Sequence, residues 1–360
     1  MAESSDGRTH GRTGATALAL LLVVLTGVVL GVIAFIAVGP GPQWPLTVTR
    51  TRDGWRLSSP RGLSIGGPAV SDRYLAFLNG HRLELMDLQS GKVTVLATPA
   101  GNGPTAPPAV VSSPQISGRY VAWGLSSGAV RVYDLARRRS FAVRQAYGDG
   151  SFFLDGNILC WQAGAAEAEE TEPRIFAFDL GTKSRRTIVS GRMGLAGLSA
   201  NWVLWEWTRP HKALQAGAVV KDLKSGAVRR LTFGPRSHVI ECYLAGDWIV
   251  WQSFEKAVQA GHASTTSVQA LSARSGRRRV VATHEAVLMS VGGGHLLWHT
   301  SPGNELCEQR AGGGQVIRFA PSEPIEGVIA LSASGRVVAW TCPRTDGSRA
   351  TAIVVKRLIP

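Results

Sequence analysis

This chain is short of acidic residues and of cysteine. Twenty-five Asp and Glu stand against 39 Lys and Arg, for a formal charge of +14, and only 18% of residues are charged while 44% are hydrophobic. That balance excludes a disordered acidic chain and leaves enough apolar material for one large core. The four cysteines, Cys160, Cys242, Cys307 and Cys342, have no C-x-x-C spacing and no nearby histidine ligands. A zinc ribbon and a thioredoxin-like pair are thereby excluded. Two readings stay open: up to two disulfides in any of three connectivities, or buried free thiols. Also missing are a nucleophile elbow, a P-loop, a dinucleotide fingerprint, H-E-x-x-H and an EF-hand loop. No catalytic, cofactor or metal motif is therefore expected.

Charge is absent altogether from Gly14 to Val38, a run of 25 residues. At about 1.5 Å per residue such a helix crosses a hydrocarbon core of about 30 Å with some tilt. A cleavable signal peptide is the competing reading, but the run is long and its exit, IAVGPGPQWP, lacks an A-x-A-like site. Arg8 and Arg12 precede the run and no basic residue follows until Arg50. The positive-inside rule then puts residues 1–13 in the cytoplasm as a tail and everything after the helix outside. Gly27 and Gly31 form a G-x-x-x-G that offers helix pairing, a spacing common by chance in Gly-rich apolar runs. Residues 39–45, GPGPQWP, form a Pro/Gly linker.

What the chain has in quantity is glycine, 42 residues, and a recurring phrase. A small residue and Gly lead into an apolar strand closed by Trp or Phe; a second strand then ends in Asp-Leu, as in GRYVAWGLSSGAVRVYDL from Gly118 to Leu135. The closing aromatics are Phe77, Trp123, Trp161, Trp205, Trp251, Trp298 and Trp340, at a mean spacing of about 44 residues. A period in that range fits four-stranded propeller blades. Seven copies predict an all-β, seven-bladed β-propeller over 46–360, with six or eight blades as the neighbouring solutions. Stretches such as Tyr120 to Trp123 are apolar at every position, as strands buried on both faces are. The last copy ends about twenty residues after Trp340, too soon for outer strands. Residues 46–58, a hairpin around Asp53-Gly54, are expected to complete that last blade and close the ring.

With those residues in view, the repeats resemble the TolB-type, WD40-like propeller repeats of bacterial envelope proteins over about Pro68 to Pro360. The likeness implies an exported propeller. The usual S-P-D-G turn is replaced by forms such as ISGR and LSAN, and the G-H…W-D pair of eukaryotic WD40 repeats is missing. Asp87 to Lys92 is also similar to the turn of quinoprotein-type propellers, but the tryptophans here lie in the strand before it rather than after.

Asp87, Asp134, Asp179 and Asp222 recur at one turn position, and a structural role is expected for them. His295 and His299 share a strand face by their even offset, without a third ligand. The patterned candidates are basic: Arg137, Arg138, Arg139, Arg185, Arg186, Arg229, Arg230, Arg277, Arg278 and Arg279 each follow the Asp-Leu turn or its equivalent. On a ring they make a belt on the outer strands. It can dock lipid headgroups or an anionic polymer, or only guard exposed edges against aggregation. Glu167, Glu169, Glu170 and Glu172 form an acidic insert in the third copy. The expected function is a non-catalytic binding or scaffold module in the envelope. It is anchored in the cytoplasmic membrane and meets a protein partner; nucleic acid is not expected. The alternative is an envelope enzyme acting on a glycan or wall polymer at the mouth of the central channel.

Overall fold

The computed structural model describes residues 46–59, 65–80, 82–98, 110, 112–143, 152–163, 172–191, 193–208, 216–233, 237–255, 265–283, 286–300, 305–343 and 351–358. The tail, the apolar run with its Gly27/Gly31 pair, the linker and Glu167, Glu169 and Glu170 lie outside the described residues. Among the described residues no helix is long and apolar enough to cross a membrane.

Every regular element among the described residues is a strand. The N-terminal hairpin is β1 (Thr47–Arg50) and β2 (Gly54–Ser58). Blade 1 is β3 (Ile65–Val70), β4 (Tyr74–Asn79), β5 (Arg82–Asp87) and β6 (Val93–Ala97). Blade 2 is β7 (Gln115–Ser117), β8 (Tyr120–Gly124), β9 (Val130–Asp134) and β10 (Arg139–Val143). Blade 3 is β11 (Phe152–Asp155), β12 (Ile158–Ala163), β13 (Arg174–Asp179) and β14 (Arg185–Ser190). Blade 4 is β15 (Gly194–Ser199), β16 (Trp202–Thr208), β17 (Ala216–Asp222) and β18 (Val228–Thr232). Blade 5 is β19 (Ser237–Ala245), β20 (Trp248–Glu255), β21 (Thr265–Ser272) and β22 (Arg278–Ala282). Blade 6 is β23 (Ala286–Gly292), β24 (His295–Thr300), β25 (Glu305–Arg310) and β26 (Ile317–Phe319). Blade 7 takes β27 (Ile329–Leu331), β28 (Val337–Pro343) and β29 (Thr351–Arg357), and β2 pairs with β29, so the sheet runs β1-β2-β29-β28-β27.

The first strands β3, β7, β11, β15, β19, β23 and β27 touch in that order, and β27 returns to β3. Seven antiparallel sheets therefore stand in a closed circle with these strands innermost: a seven-bladed propeller. Closure uses Leu57, which packs with Ile353 and Val355 of β29 and with Phe77 of blade 1. At Gly54 a Cβ would lie 2.0 Å from the Val355 carbonyl oxygen, so only glycine lets β2 approach β29 there.

The period has a physical cause. Seven apolar clusters fill the seven seams between blades, and each contains one recurring aromatic, turned toward the preceding blade. Trp161, for example, packs against Val130 and Val132 of blade 2, and Trp340 against Leu297 and Leu306 of blade 6. A large ring from each blade fills the seam where two sheets splay apart, and in some seams a second ring packs on it, as Phe176 does on Trp161. One correction follows: the aromatic is the fourth residue of the blade's second strand and does not close a first one. The innermost strand, as short as the three residues of β7, precedes the turn glycine and carries little pattern of its own.

The four cysteines are unbridged and buried, on β12, β19, β25 and β28. Burial pushes the Cys160, Cys242 and Cys307 thiols up. Cys342 is raised to about 12 by burial and by the Glu323 carboxylate, which accepts its hydrogen bond at 3.2 Å.

Candidate functional site

Because each blade is a simple meander, the turns after its first and third strands share one face of the ring. On that face the residue ending an inner strand often reaches into the next blade. The Ser117 hydroxyl accepts from the Gly156 N–H at 2.8 Å, one Asp155 oxygen from Ala200 N–H at 2.6 Å, and Ser199 Oγ from Gly246 N–H at 3.0 Å. Ser117 also donates to Asp155 at 3.2 Å. These bonds stitch blades 2, 3, 4 and 5 edge to edge. Between blades 7 and 1 Ser334 donates to Asp72, whereas Ser71 of blade 1 is occupied within its own turn by the Tyr74 N–H.

At blades 5 and 6 the matching positions are Ala245 and Gly292, which have no side-chain acceptor. Gly292 could not carry one, since its Cβ would sit 2.5 Å from the Leu331 oxygen. Here the face opens into a cavity of about 660 Å³, within the range of small-molecule sites. Its walls are Asp247 and Trp248 of blade 5, the turn Gly293-Gly294-His295 and Arg310 with Gly312 of blade 6, and Ser334 and Arg336 of blade 7. Deeper down the seam between blades 5 and 6 stays closed, because Gln252 Oε1 accepts from Leu288 N–H at 3.1 Å.

His295 pairs directly with Arg310 across β24 and β25, so both project from one face of blade 6, with Glu308 two residues before Arg310 on that face. His295 Nδ1 lies 2.5 Å from Glu308 Oε1, and Glu308 is buried. Gly335, at φ 72°, lies over this pair: a Cβ there would come within 2.3 Å of His295 Nδ1. The carboxylate fixes the imidazole and leaves Nε2 without a partner among the described residues. A serine is close in sequence to that glycine, but the Ser334 hydroxyl is committed to Asp72 and Ser332. Arg310 and Arg336 are exposed and have no ion-pair partner among the described residues; Asp247, an acid in the wall, faces Arg274 at 3.9 Å. The cavity is therefore net positive.

The structure places the ten arginines of the belt on the outermost strands or the turns entering them. Arg137, Arg138, Arg139, Arg185, Arg186, Arg230, Arg277 and Arg278 are exposed. Arg229 and Arg279 are half-buried and reach the next blade: Arg229 donates to Arg274 O at 3.3 Å, and Arg279 to Ala311 O at 3.3 Å and Gln309 Oε1 at 3.0 Å. The belt is thus partly a set of staples.

The recurring aspartates are turn caps. Asp87 Oδ1 accepts from Gln89 and Ser90 N–H at 2.8 and 3.2 Å, and Asp134 Oδ1 from Ala136 and Arg137 N–H at 3.1 and 3.2 Å. Asp179 and Asp222 do the same. Partial burial pulls these carboxyls up, but the N–H donors outweigh it and hold all four below the ordinary value. In the third copy Gly181 does not take the positive φ the turn requires; Lys183 does, at 61°, with its ammonium 3.3 Å from the centre of the Phe141 ring.

One acidic constellation escaped the sequence reading. Glu206 of β16 and Glu241 of β19 lie on adjacent blades, and Tyr243 donates to Glu241. Burial pushes the Glu206 carboxyl up, and the Glu241 charge adds to it. Glu206 follows Trp205 by one residue and Glu241 lies 35 residues on, so no local motif announces them. His295 and His299 acquire no third ligand: among the described residues no group of three His, Cys, Asp or Glu could hold a metal ion.

No protein-family model and no curated protein matches the chain. Solved structures match in fold. An oligogalacturonate lyase in complex with manganese is 14% identical at TM-score 0.59, covering 88% of this chain and 97% of that one. The oligogalacturonate lyase of Vibrio parahaemolyticus is 11% identical at 0.58, with the same coverage. PorZ, a surface component of the type-IX secretion system of Porphyromonas gingivalis, is 10% identical at 0.50, covering 88% of this chain and 39% of that one. At these identities the likeness shows the propeller alone.

Proposed function

We propose that the chain is a non-catalytic binding module of the cell envelope, exported and held to the cytoplasmic membrane by the Gly14–Val38 helix with its N-terminus inside. The carrying observation is the cavity of about 660 Å³ across blades 5, 6 and 7, lined by Arg310, Arg336, Trp248 and the His295 that Glu308 holds. The β1–β2 turn lies on the cavity's face, where Arg357 N–H donates to Asp53 O and Leu358 N–H to Arg336 O. The exposed arginines of the outer belt are the proposed surface for a protein partner, and for anionic lipid or wall polymer.

The test uses Gly312→Phe. Gly312 lies outside the positive-φ region and a Cβ there meets nothing closer than 3.5 Å, so a phenyl ring fills the cavity without backbone strain. In a thermal-shift screen of soluble wall and surface fragments, a ligand at a hundredfold excess over Kd adds about 2.7 kcal/mol and moves wild-type Tm by several degrees. The Gly312→Phe variant is expected not to move. Equal shifts in both would place binding elsewhere. A C-terminal reporter found in the cytosol would contradict the export.

A second reading, an enzyme acting on a glycan or wall polymer, is favoured by Glu206 and Glu241, carboxylates on adjacent blades, with the Glu206 carboxyl pushed up by burial and by the Glu241 charge. Since two of the matched structures are named for oligogalacturonate, that polymer is the first to assay. Turnover abolished by Glu206→Gln would establish the enzyme reading over the binding one.

A further inference from the structure

We infer that the cavity between blades 5, 6 and 7 takes a small molecule that pairs one oxyanion, a carboxylate or phosphate, with a flat apolar face. The inference rests on the binding reading above and names the chemistry of the same site. Arg310 and Arg336 come from different blades, line one cavity, and have no carboxylate partner among the described residues. Two unpaired guanidiniums facing a shared space repel each other, and an oxyanion relieves that repulsion by accepting forked hydrogen bonds from both.

The other lining groups agree with this. Glu308, the acid closest to Arg310 in sequence, is turned to His295 at 2.5 Å and screened from solvent by burial. Arg274 partly offsets Asp247 on the far wall. His295 presents an oriented Nε2 that donates to an oxyanion when the ring is protonated and accepts from a hydroxyl when it is neutral. Trp248 supplies the flat wall: its indole is half-buried and packs 3.5 Å from where a Gly312 Cβ would stand, so nothing but glycine separates the ring from the cavity. An aromatic face beside cationic forks selects a planar or ring-shaped anion over a bare ion. The size, about 660 Å³, suits such a molecule and is too small for a folded partner.

The test titrates detergent-solubilised full chain with benzoate, phenyl phosphate and benzyl alcohol by ligand-observed NMR. The two anions are expected to bind with Kd on the order of millimolar, as fragments of this size do, and benzyl alcohol at least about tenfold more weakly. A preference between the anions identifies carboxylate or phosphate as the native group. Arg310→Gln and Arg336→Gln, both exposed and so not expected to impair folding, should each weaken anion binding about tenfold, and Gly312→Phe should abolish it. Benzyl alcohol binding as tightly as the anions, or anions binding unchanged in the double Arg310→Gln, Arg336→Gln protein, would overturn the oxyanion assignment. If benzyl alcohol binding is then lost in Gly312→Phe, the cavity stands as a binding site with a different ligand. If all three probes bind Gly312→Phe as they bind wild type, the binding reading of the cavity falls as well.

Discussion

Blades 2 to 5 and blades 5 to 7 share one deep architecture and differ at the surface. In both arcs a second-strand tryptophan fills each seam. On the short-turn face, however, Ser117, Asp155 and Ser199 at the ends of inner strands tie each blade of the first arc to the next, while Ala245 and Gly292 provide no such tie in the second arc. The cavity lies where the ties are missing. The ring is thus held by its apolar seams, which frees the polar rim in one sector to meet a ligand.

The largest effects should not distinguish the arcs. Trp251→Ala, in the seam between blades 4 and 5, and Trp298→Ala, between blades 5 and 6, are each expected to cost about 3–5 kcal/mol in urea unfolding. A difference beyond about 2 kcal/mol would mean that the seams are not equivalent.

Below that come the ties. Asp155→Ala removes an acceptor for Ala200 N–H and for the Ser117 hydroxyl, and is expected to cost about 1–3 kcal/mol. The converse change, Ala245→Ser, offers a hydroxyl toward the first residue of the blade 6 turn and should stabilise by about 0.5–1.5 kcal/mol. It should also weaken ligand binding by narrowing the opening.

Acid separates the arcs next. The caps Asp87, Asp134, Asp179 and Asp222 belong to blades 1 to 4; Ser272 and Arg310 end the third strands of blades 5 and 6. Folding holds the four carboxyls below the ordinary value of 3.8, so their contribution is complete above that pH and is lost as pH falls through the depressed folded values. Hydrogen exchange at pH 3 against pH 7, corrected for intrinsic rate, should show these turns in blades 1 to 4 loosening while those of blades 5 and 6 hold. The smallest effect is a null one: with all four thiols buried and raised, alkylation of the native protein should label none of them, and unfolding should expose all four.

The seven-fold ring was legible in the sequence because each seam demands one large aromatic, and tryptophan at a period of about 44 residues is hard to miss. The inner strands were not, since QIS at Gln115–Ser117 is too short to carry a pattern. The outer arginines followed from their place after the Asp-Leu turn. Their role as staples did not, because Arg229 and Arg279 meet partners thirty or more residues away. The cavity was the least visible feature. It arises where Ser or Asp before a turn gives way to Ala245 and Gly292, and a missing hydroxyl announces nothing until the copies are aligned by structure. His295 drew notice for its neighbour His299, whereas its partner is Glu308 on the adjoining strand.

The asymmetry of the rim can be read most directly from amide exchange at single residues by NMR. The account predicts slow exchange at Gly156, Ala200 and Gly246, whose N–H groups are bound by the preceding blade, and fast exchange at Gly293, which lines the cavity with Ala245 and has no acceptor among the described residues. A Gly293 amide as protected as that of Gly246 in the ligand-free protein would contradict it.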